Sequence, residues 1–85
     1  MEKRIGVVGI VVEEKENVSR LNAILSEHGD IIIGRMGIPR RGSVNVIALI
    51  VEGSNEEVGA LTGKLGNLKG IKVRSALTNH IITEG

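Results

Sequence analysis

The sequence contains no cysteine and no Phe, Tyr or Trp. Without cysteine the chain can form neither a disulfide nor a thiolate metal site, and it has no cysteine nucleophile. Without aromatic side chains it has no platform on which nucleic-acid bases could stack, which argues against RNA or single-stranded DNA as a ligand. Because the aromatic residues are absent, the core must be built from aliphatic side chains alone.

Long apolar runs and an excess of charge are also missing. No stretch approaches the roughly 20 apolar residues of a membrane span, and the first apolar run is short for a signal peptide. The chain has 11 Lys and Arg against 10 Asp and Glu, which gives a net charge of +1 and no long-range attraction to nucleic acid or membrane. We therefore expect a cytoplasmic protein that contacts no membrane.

The length of 85 residues indicates one small domain. A chain of this size buries only about 60–65% of the surface that its unfolded state exposes, so burying more surface in an oligomer would help it. We expect a single domain over residues 1–78 and a C-terminal tail over residues 79–85.

A central hairpin organises the sequence. Two apolar, mostly β-branched runs, residues 31–33 and 46–51, are typical of strands. Between them, Gly37, Pro39 and Gly42 predict a turn. Arginines at positions 35, 40 and 41 would make the tip of this hairpin basic.

Other elements flank the hairpin on both sides. Residues 5–12 predict a first strand, and residues 17–28 a first helix with Asn17 as its N-cap. Ser54 and Glu57 form a capping-box pattern that starts a second helix, and residues 71–78 predict the last strand. The order is the split β-α-β of an α+β, ferredoxin-like βαββαβ sandwich, a four-stranded antiparallel sheet with two helices on one face.

The two central strands predict an interface. Residues 5–12 and 44–51 are apolar on both alternating faces, while the helices can cover only one of them. A large exposed apolar surface usually marks an interaction site. We therefore expect a homo-oligomer, either a dimer or a tetramer.

Four polar residues are candidates for binding a ligand. Glu14 and Asn17 stand beside the N-terminus of the first helix, where free N–H groups can hold an anion. Arg35 either binds an anion or charged partner or belongs to a solvated turn. Asn45 interrupts an apolar strand and either pairs across strands or points into an interface pocket.

No residue pattern indicates a reaction. The two histidines, at positions 28 and 80, have no metal-ligand spacing, and no nucleophile–base pair is visible. We expect no cofactor and no catalysis. The leading hypothesis is an oligomeric regulatory module that binds a small ligand or a protein partner at a subunit interface. The alternative is a purely structural interaction domain without a ligand.

Residues 18–78 resemble a known family. The stretch LNAILSEHGDIIIGRMGIPRRGSVNVIALIVEG, followed by EEVGALTGKLGNLKGIKV, is similar to the C-terminal regulatory domain of the nickel-responsive repressor. The whole chain looks more like a small stand-alone branch of that group, the regulators of the iron-only hydrogenase system. The resemblance implies an ACT-like fold, assembled as a tetramer with metal at the subunit interface.

The ligands of that family do not carry over. The resemblance aligns them with Ser26, Gly37, Pro39 and Asn45, where thiolate and imidazole are absent, so no tight nickel site is expected. ACT-type domains bind amino acids near the loop after the first strand, but the loop VVEEKENVS lacks the usual glycine. No ribbon-helix-helix segment precedes the first strand, so we expect no specific DNA binding by this chain.

Overall fold

The structure, a computed structural model, describes residues 2–82 apart from the side chain of Arg40, and forms one sheet with two helices. Its elements are β1 (Arg4–Val12), a 3-10 turn (Lys15–Asn17), α1 (Val18–Glu27), β2 (Ile32–Arg41), β3 (Val44–Gly53), α2 (Asn55–Gly66) and β4 (Ile71–Ile81). All strand pairs are antiparallel in the order β2-β3-β1-β4, which confirms the predicted fold. Within the described range, neither helix has the length and apolarity needed to cross a membrane.

The core lies between the helices and one face of the sheet. Strand residues alternate between buried and exposed, so that Leu49 is fully buried while its neighbour Ile50 is 41% exposed. The predicted faces of β1 and β3 are confirmed. Buried apolar side chains come from both layers, chiefly Val8, Ile10, Leu49 and Val51 of the sheet and Leu21, Leu25, Leu61 and Leu65 of the helices.

The hairpin differs from its prediction. β2 runs without interruption through Gly37 and Pro39, and the turn is confined to Gly42 and Ser43. Pro39 is tolerated because β2 is an edge strand, where a missing N–H need not break the ladder. The prediction of a turn at Gly37 and Pro39 is therefore wrong, and Arg35 lies within a strand rather than at a tip.

The last strand also extends further than expected. β4 pairs with β1 and ends at Ile81, beyond the predicted end at Thr78. The hydroxyl of Thr78 donates a hydrogen bond to the Ile5 carbonyl at 2.6 Å. Residues 79–81, predicted as tail, thus belong to the sheet. The remainder of the predicted tail, residues 83–85, lies outside the described residues.

The start of α2 is fixed by the predicted capping box. The Glu57 N–H donates to the Ser54 hydroxyl at 3.1 Å, and the Ser54 N–H donates to the Glu57 carboxylate at 2.9 Å. That backbone hydrogen bond lowers the pKa of Glu57 below its ordinary value of 4.5. Because folding lowers this pKa, the Ser54–Glu57 pair stabilises the fold fully at a pH above the ordinary pKa of the carboxyl group. This stabilisation is lost as the pH falls through the pKa of the folded protein.

Replacing Ser54 with alanine should destabilise the fold. The change removes the acceptor of the Glu57 N–H at a site that is 2% exposed, so we expect a loss of about 1–2 kcal/mol in the free energy of unfolding. Urea denaturation followed by circular dichroism measures it. The matched change Ser19→Ala, on the exposed face of α1, should cost less than about 0.5 kcal/mol, and an equal loss in both variants would contradict the capping role.

Candidate functional site

A cavity of about 300 Å³ lies between α1 and the β2–β3 hairpin. Its wall is formed by Val18, Leu21 and Asn22 from the first turns of α1. Its floor is the helix-covered face of the sheet, near the residue at which β1 ends. We call this space the Arg35 cavity, after the charged side chain that lines it. Its size is at the small end of the range for ligand pockets.

Two cross-strand pairs build the floor. Gly37 of β2 lies opposite Ile47 of β3, and Asn45 of β3 lies opposite Val12 of β1. A Cβ added at Gly37 would meet no heavy atom within 4 Å. The absent side chain at Gly37 therefore leaves the space open, and a larger residue could occupy it without displacing the backbone.

The polar groups of the cavity come from three different elements. Arg35 of β2 donates from Nη2 to Oδ1 of Asn22 on α1 across a long contact of 3.4 Å, and Asn45 lines the cavity from β3. Among side chains that the structure describes, no carboxylate forms an ion pair with Arg35. The cavity thus combines apolar walls with one cation that a weak hydrogen bond holds in place.

The four predicted ligand residues do not lie in one place. The structure brings Arg35 and Asn45 together in the cavity, whereas Glu14 and Asn17 lie next to the α2–β4 connection and do not line it. Asn17 holds the predicted N-cap position, although its side chain makes no capping hydrogen bond. Its Nδ2 donates instead to the Lys69 carbonyl at 3.0 Å.

Sequence reasoning missed two residues of this site. Asn22 is exposed on α1, lines the cavity and contacts Arg35. Gly37 was read as a turn residue, although it opens the cavity floor. The packing of α1 on the sheet and the pairing of β2 with β3 bring these residues together, and no local sequence pattern reports that register.

The residues of the cavity do not fit a metal ion. Gly37, Pro39 and Asn45, three positions that the resemblance aligns with metal ligands, do line it, but neither glycine nor proline has a donor side chain. No imidazole or carboxylate lines it either. Over residues 2–82, no group of three His, Cys, Asp or Glu residues could hold a metal. Three of the four positions that the resemblance aligns with metal ligands thus line one cavity, and none of them has an imidazole or a thiolate.

The purified protein should contain no stoichiometric nickel. The reason is the loss of donor atoms at Gly37 and Pro39, since tight nickel sites need imidazole or thiolate ligands. Metal analysis after equilibrium dialysis against nickel checks this, with His28→Ala as the comparison variant. One tightly bound nickel per subunit that disappears in His28→Ala would contradict the prediction.

A second feature adjoins the cavity, the sheet face that no helix covers. By register it contains Val7 and Val11 of β1, Val46, Ala48 and Ile50 of β3, and Met36 and Ile38 of β2. Val7 is 47% and Met36 is 63% exposed. We call it the uncovered sheet face. By register the side chains of Ile38 and Val46 belong to this face, and the same two residues also line the Arg35 cavity, so the two features share residues.

Comparison with known proteins agrees with this architecture. Residues 4–75 match the model of the TM1266-like family, which is described as candidate regulators of an iron-only hydrogenase system. The chain belongs to this family. Its structure is similar to that of the uncharacterised protein TM1266 of Thermotoga maritima, with 36% identity and a TM-score of 0.83 over 89% of this chain and 98% of that chain.

More distant structures share the fold of this TM1266-like chain. The C-terminal domain of the MgtC protein from Mycobacterium tuberculosis is 12% identical, with a TM-score of 0.69 over 95% of this chain and 94% of that domain. An ACT domain protein from Streptococcus pneumoniae is also 12% identical, with a TM-score of 0.56 over 87% of this chain and 89% of that chain. The ACT-like fold that the sequence predicted is thereby confirmed.

The fold also occurs within an enzyme. A formyltetrahydrofolate deformylase from Pseudomonas putida is 10% identical with a TM-score of 0.61, but the likeness covers only 29% of that chain. At such low identity the likeness concerns the fold alone. No curated protein matches this chain.

Proposed function

We propose that this TM1266-like chain is a non-catalytic regulatory module of the cytoplasm that self-associates and binds a small ligand next to the interface between its copies. The observation that supports it most is the sharing of Ile38 and Val46 between the Arg35 cavity and the uncovered sheet face. A ligand that shifts the strands at these two residues would alter the surface through which the copies meet. Binding and assembly would then be coupled, and the coupling would be reciprocal.

The composition of the cavity supports a binding role over a catalytic one. Most of its lining is aliphatic, and its polar groups are one guanidinium and two amides, from Arg35, Asn22 and Asn45. None of these groups is an effective nucleophile or general base near neutral pH. The set can hold and orient a molecule, and it offers no group to attack one or to remove its proton.

The uncovered sheet face supports self-association. A sheet that is covered on one side leaves apolar residues such as Val7 and Ile50 in water, where they contribute nothing to stability. By register, Glu52 lies beside Ile5 at one end of this face, and Lys72 lies beside Val11 at the other. Lys72 forms an ion pair with Glu13 of the same chain at 3.6 Å. The support for self-association therefore comes from the apolar residues of this face and not from its charges.

A ligand screen with a cavity-filled variant tests the proposal. Melting temperatures of the wild type and of Gly37→Val are measured against a panel of anionic, neutral and cationic small molecules, by calorimetry because the chain has no Trp or Tyr. A ligand of the cavity should raise the melting temperature of the wild type but not that of Gly37→Val, by mass action. Gly59→Ala is the control, because its Cβ also meets nothing within 4 Å, but it lies on α2.

The screen separates this function from a structural role. A compound that stabilises the wild type and Gly59→Ala but not Gly37→Val, and also shifts the assembly measured by light scattering, supports the regulatory module. If no compound of any charge class does so, the chain is better described as a purely structural interaction domain. A protein partner that competes with such a compound would bind at the same interface.

A further inference from the structure

The charge balance of the Arg35 cavity restricts what it can hold. Among the side chains that the structure describes, the Arg35 guanidinium lines the cavity and no carboxylate does. An Arg side chain in a partly apolar site gains most from a planar anion that accepts two parallel N–H bonds. Arg35 contacts the uncharged Asn22 at 3.4 Å and forms no ion pair with a described carboxylate, so an anion can replace this contact without breaking such a pair.

The apolar walls of the cavity determine which uncharged part of a bound anion would fit. Val18 and Leu21 face Ile47 across the space, and all three side chains are branched and aliphatic. A compact branched hydrocarbon fills such a volume better than a sugar or a nucleotide, whose hydroxyl and phosphate groups would remain unpaired against these walls. The volume of about 300 Å³ also favours a molecule of few atoms.

From this geometry we infer that the Arg35 cavity binds a small branched-chain carboxylate that has no ammonium group. The carboxylate pairs with the Arg35 guanidinium, and the branched end lies on Ile47 over Gly37. An amino acid is disfavoured because its ammonium group would enter the cavity without a carboxylate to pair with. The inference rests on the proposed function and specifies its ligand class.

Four small probes separate these contributions. 3-Methylbutanoate has both the anion and the branched end, 3-methylbutanamide lacks the charge, valine adds the ammonium group to the same carbon skeleton, and inorganic phosphate lacks the hydrocarbon. Each is titrated at constant pH and ionic strength into the ¹⁵N-labelled protein, and the backbone amides of Asn22, Arg35 and Gly37 are followed by NMR. For so few heavy atoms the Kd of 3-methylbutanoate should be about 10 µM to 1 mM.

We expect 3-methylbutanoate to bind at least about tenfold more tightly than the other three probes. Arg35→Met should weaken its binding about tenfold or more and leave that of the amide unchanged. The control Arg20→Met removes the same charge from the exposed face of α1, outside this cavity, and should leave both unchanged. Equal binding of acid and amide, tighter binding of valine or phosphate, or no effect of Arg35→Met would overturn the inference.

The experiments distinguish a wrong ligand class from a wrong proposed function. If 3-methylbutanoate does not bind, but a compound of another class stabilises the wild type and fails to stabilise Gly37→Val, the ligand class is wrong and the regulatory role stands. If no compound passes that cavity test, both fail together.

Discussion

Replacing Ile50 with lysine is expected to convert the oligomer into a folded monomer. Ile50 is 41% exposed on the uncovered sheet face and lies opposite Val7, which is 47% exposed. In a face-to-face assembly these side chains would lie near the centre of the interface. A lysine there would lose its hydration without gaining a partner, which costs several kcal/mol. Light scattering at about 10 µM should therefore give the monomer mass for this variant and twice or four times that mass for the wild type.

The adjacent residue provides the matched control. Leu49 is fully buried under the helices, so Leu49→Lys should place a charge in the core and prevent folding. Circular dichroism should thus show native secondary structure for Ile50→Lys and loss of it for Leu49→Lys. A wild-type protein that is monomeric at this concentration would refute the assembly. An Ile50→Lys variant that stays oligomeric would show that the interface lies on another surface.

The pair Leu49 and Ile50 also illustrates what the sequence could predict. Alternation of apolar residues with period two assigns neighbouring residues to opposite faces, and the helical spacing of leucines identifies the covering layer. These local regularities, together with the capping box at Ser54, were sufficient for the element order and the fold. These regularities depend on the local backbone geometry of each segment, which tertiary contacts change little.

The Arg35 cavity could not be predicted in the same way. Its floor depends on the pairing of Gly37 with Ile47, and that register shifts between Ile32 and Gly34 and again between Ile38 and Arg41. Where the pairing of two strands is irregular, side chains no longer alternate strictly between the two faces of the sheet, and the face of a residue cannot be predicted from alternation. Glycine and proline in β2 were interpreted as turn residues because local propensity carries no information about edge position. Both the register of the cavity floor and the course of β2 are therefore determined by tertiary structure.

A second tertiary feature, the contact between Gly70 and the loop after β1, predicts a large loss of stability in Gly70→Ala. Gly70 has a φ of +83°, and a Cβ at this position would lie 2.6 Å from the Cβ of Glu14. The positive φ costs an alanine about 1 kcal/mol, and the overlap with Glu14 adds roughly 1–3 kcal/mol, because a Cβ cannot rotate away. We therefore expect a loss of about 2–4 kcal/mol, a large share of the stability of a domain this small.

The backbone around this contact explains why the loop cannot simply move aside. The N–H groups of Glu13 and Glu14 both donate to the Gly70 carbonyl, at 2.7 and 3.3 Å, and the Asn17 side chain donates to the Lys69 carbonyl. Separating Glu14 from residue 70 would stretch all three hydrogen bonds. Relief of the overlap is thus opposed by the contacts that join the β1–α1 loop to the start of β4.

Two comparison variants separate the overlap from the backbone conformation. Gly42 has a φ of +64° but nothing within 4 Å of its built Cβ, so Gly42→Ala should cost only about 1 kcal/mol in urea denaturation. Adding Glu14→Gly to Gly70→Ala removes the overlapping Cβ. The double variant should then lose less stability than the sum of its two single changes, a coupling that a mutant cycle measures directly. Equal losses in Gly70→Ala and Gly42→Ala, with additive behaviour in the double variant, would show that Glu14 does not contact residue 70 in solution.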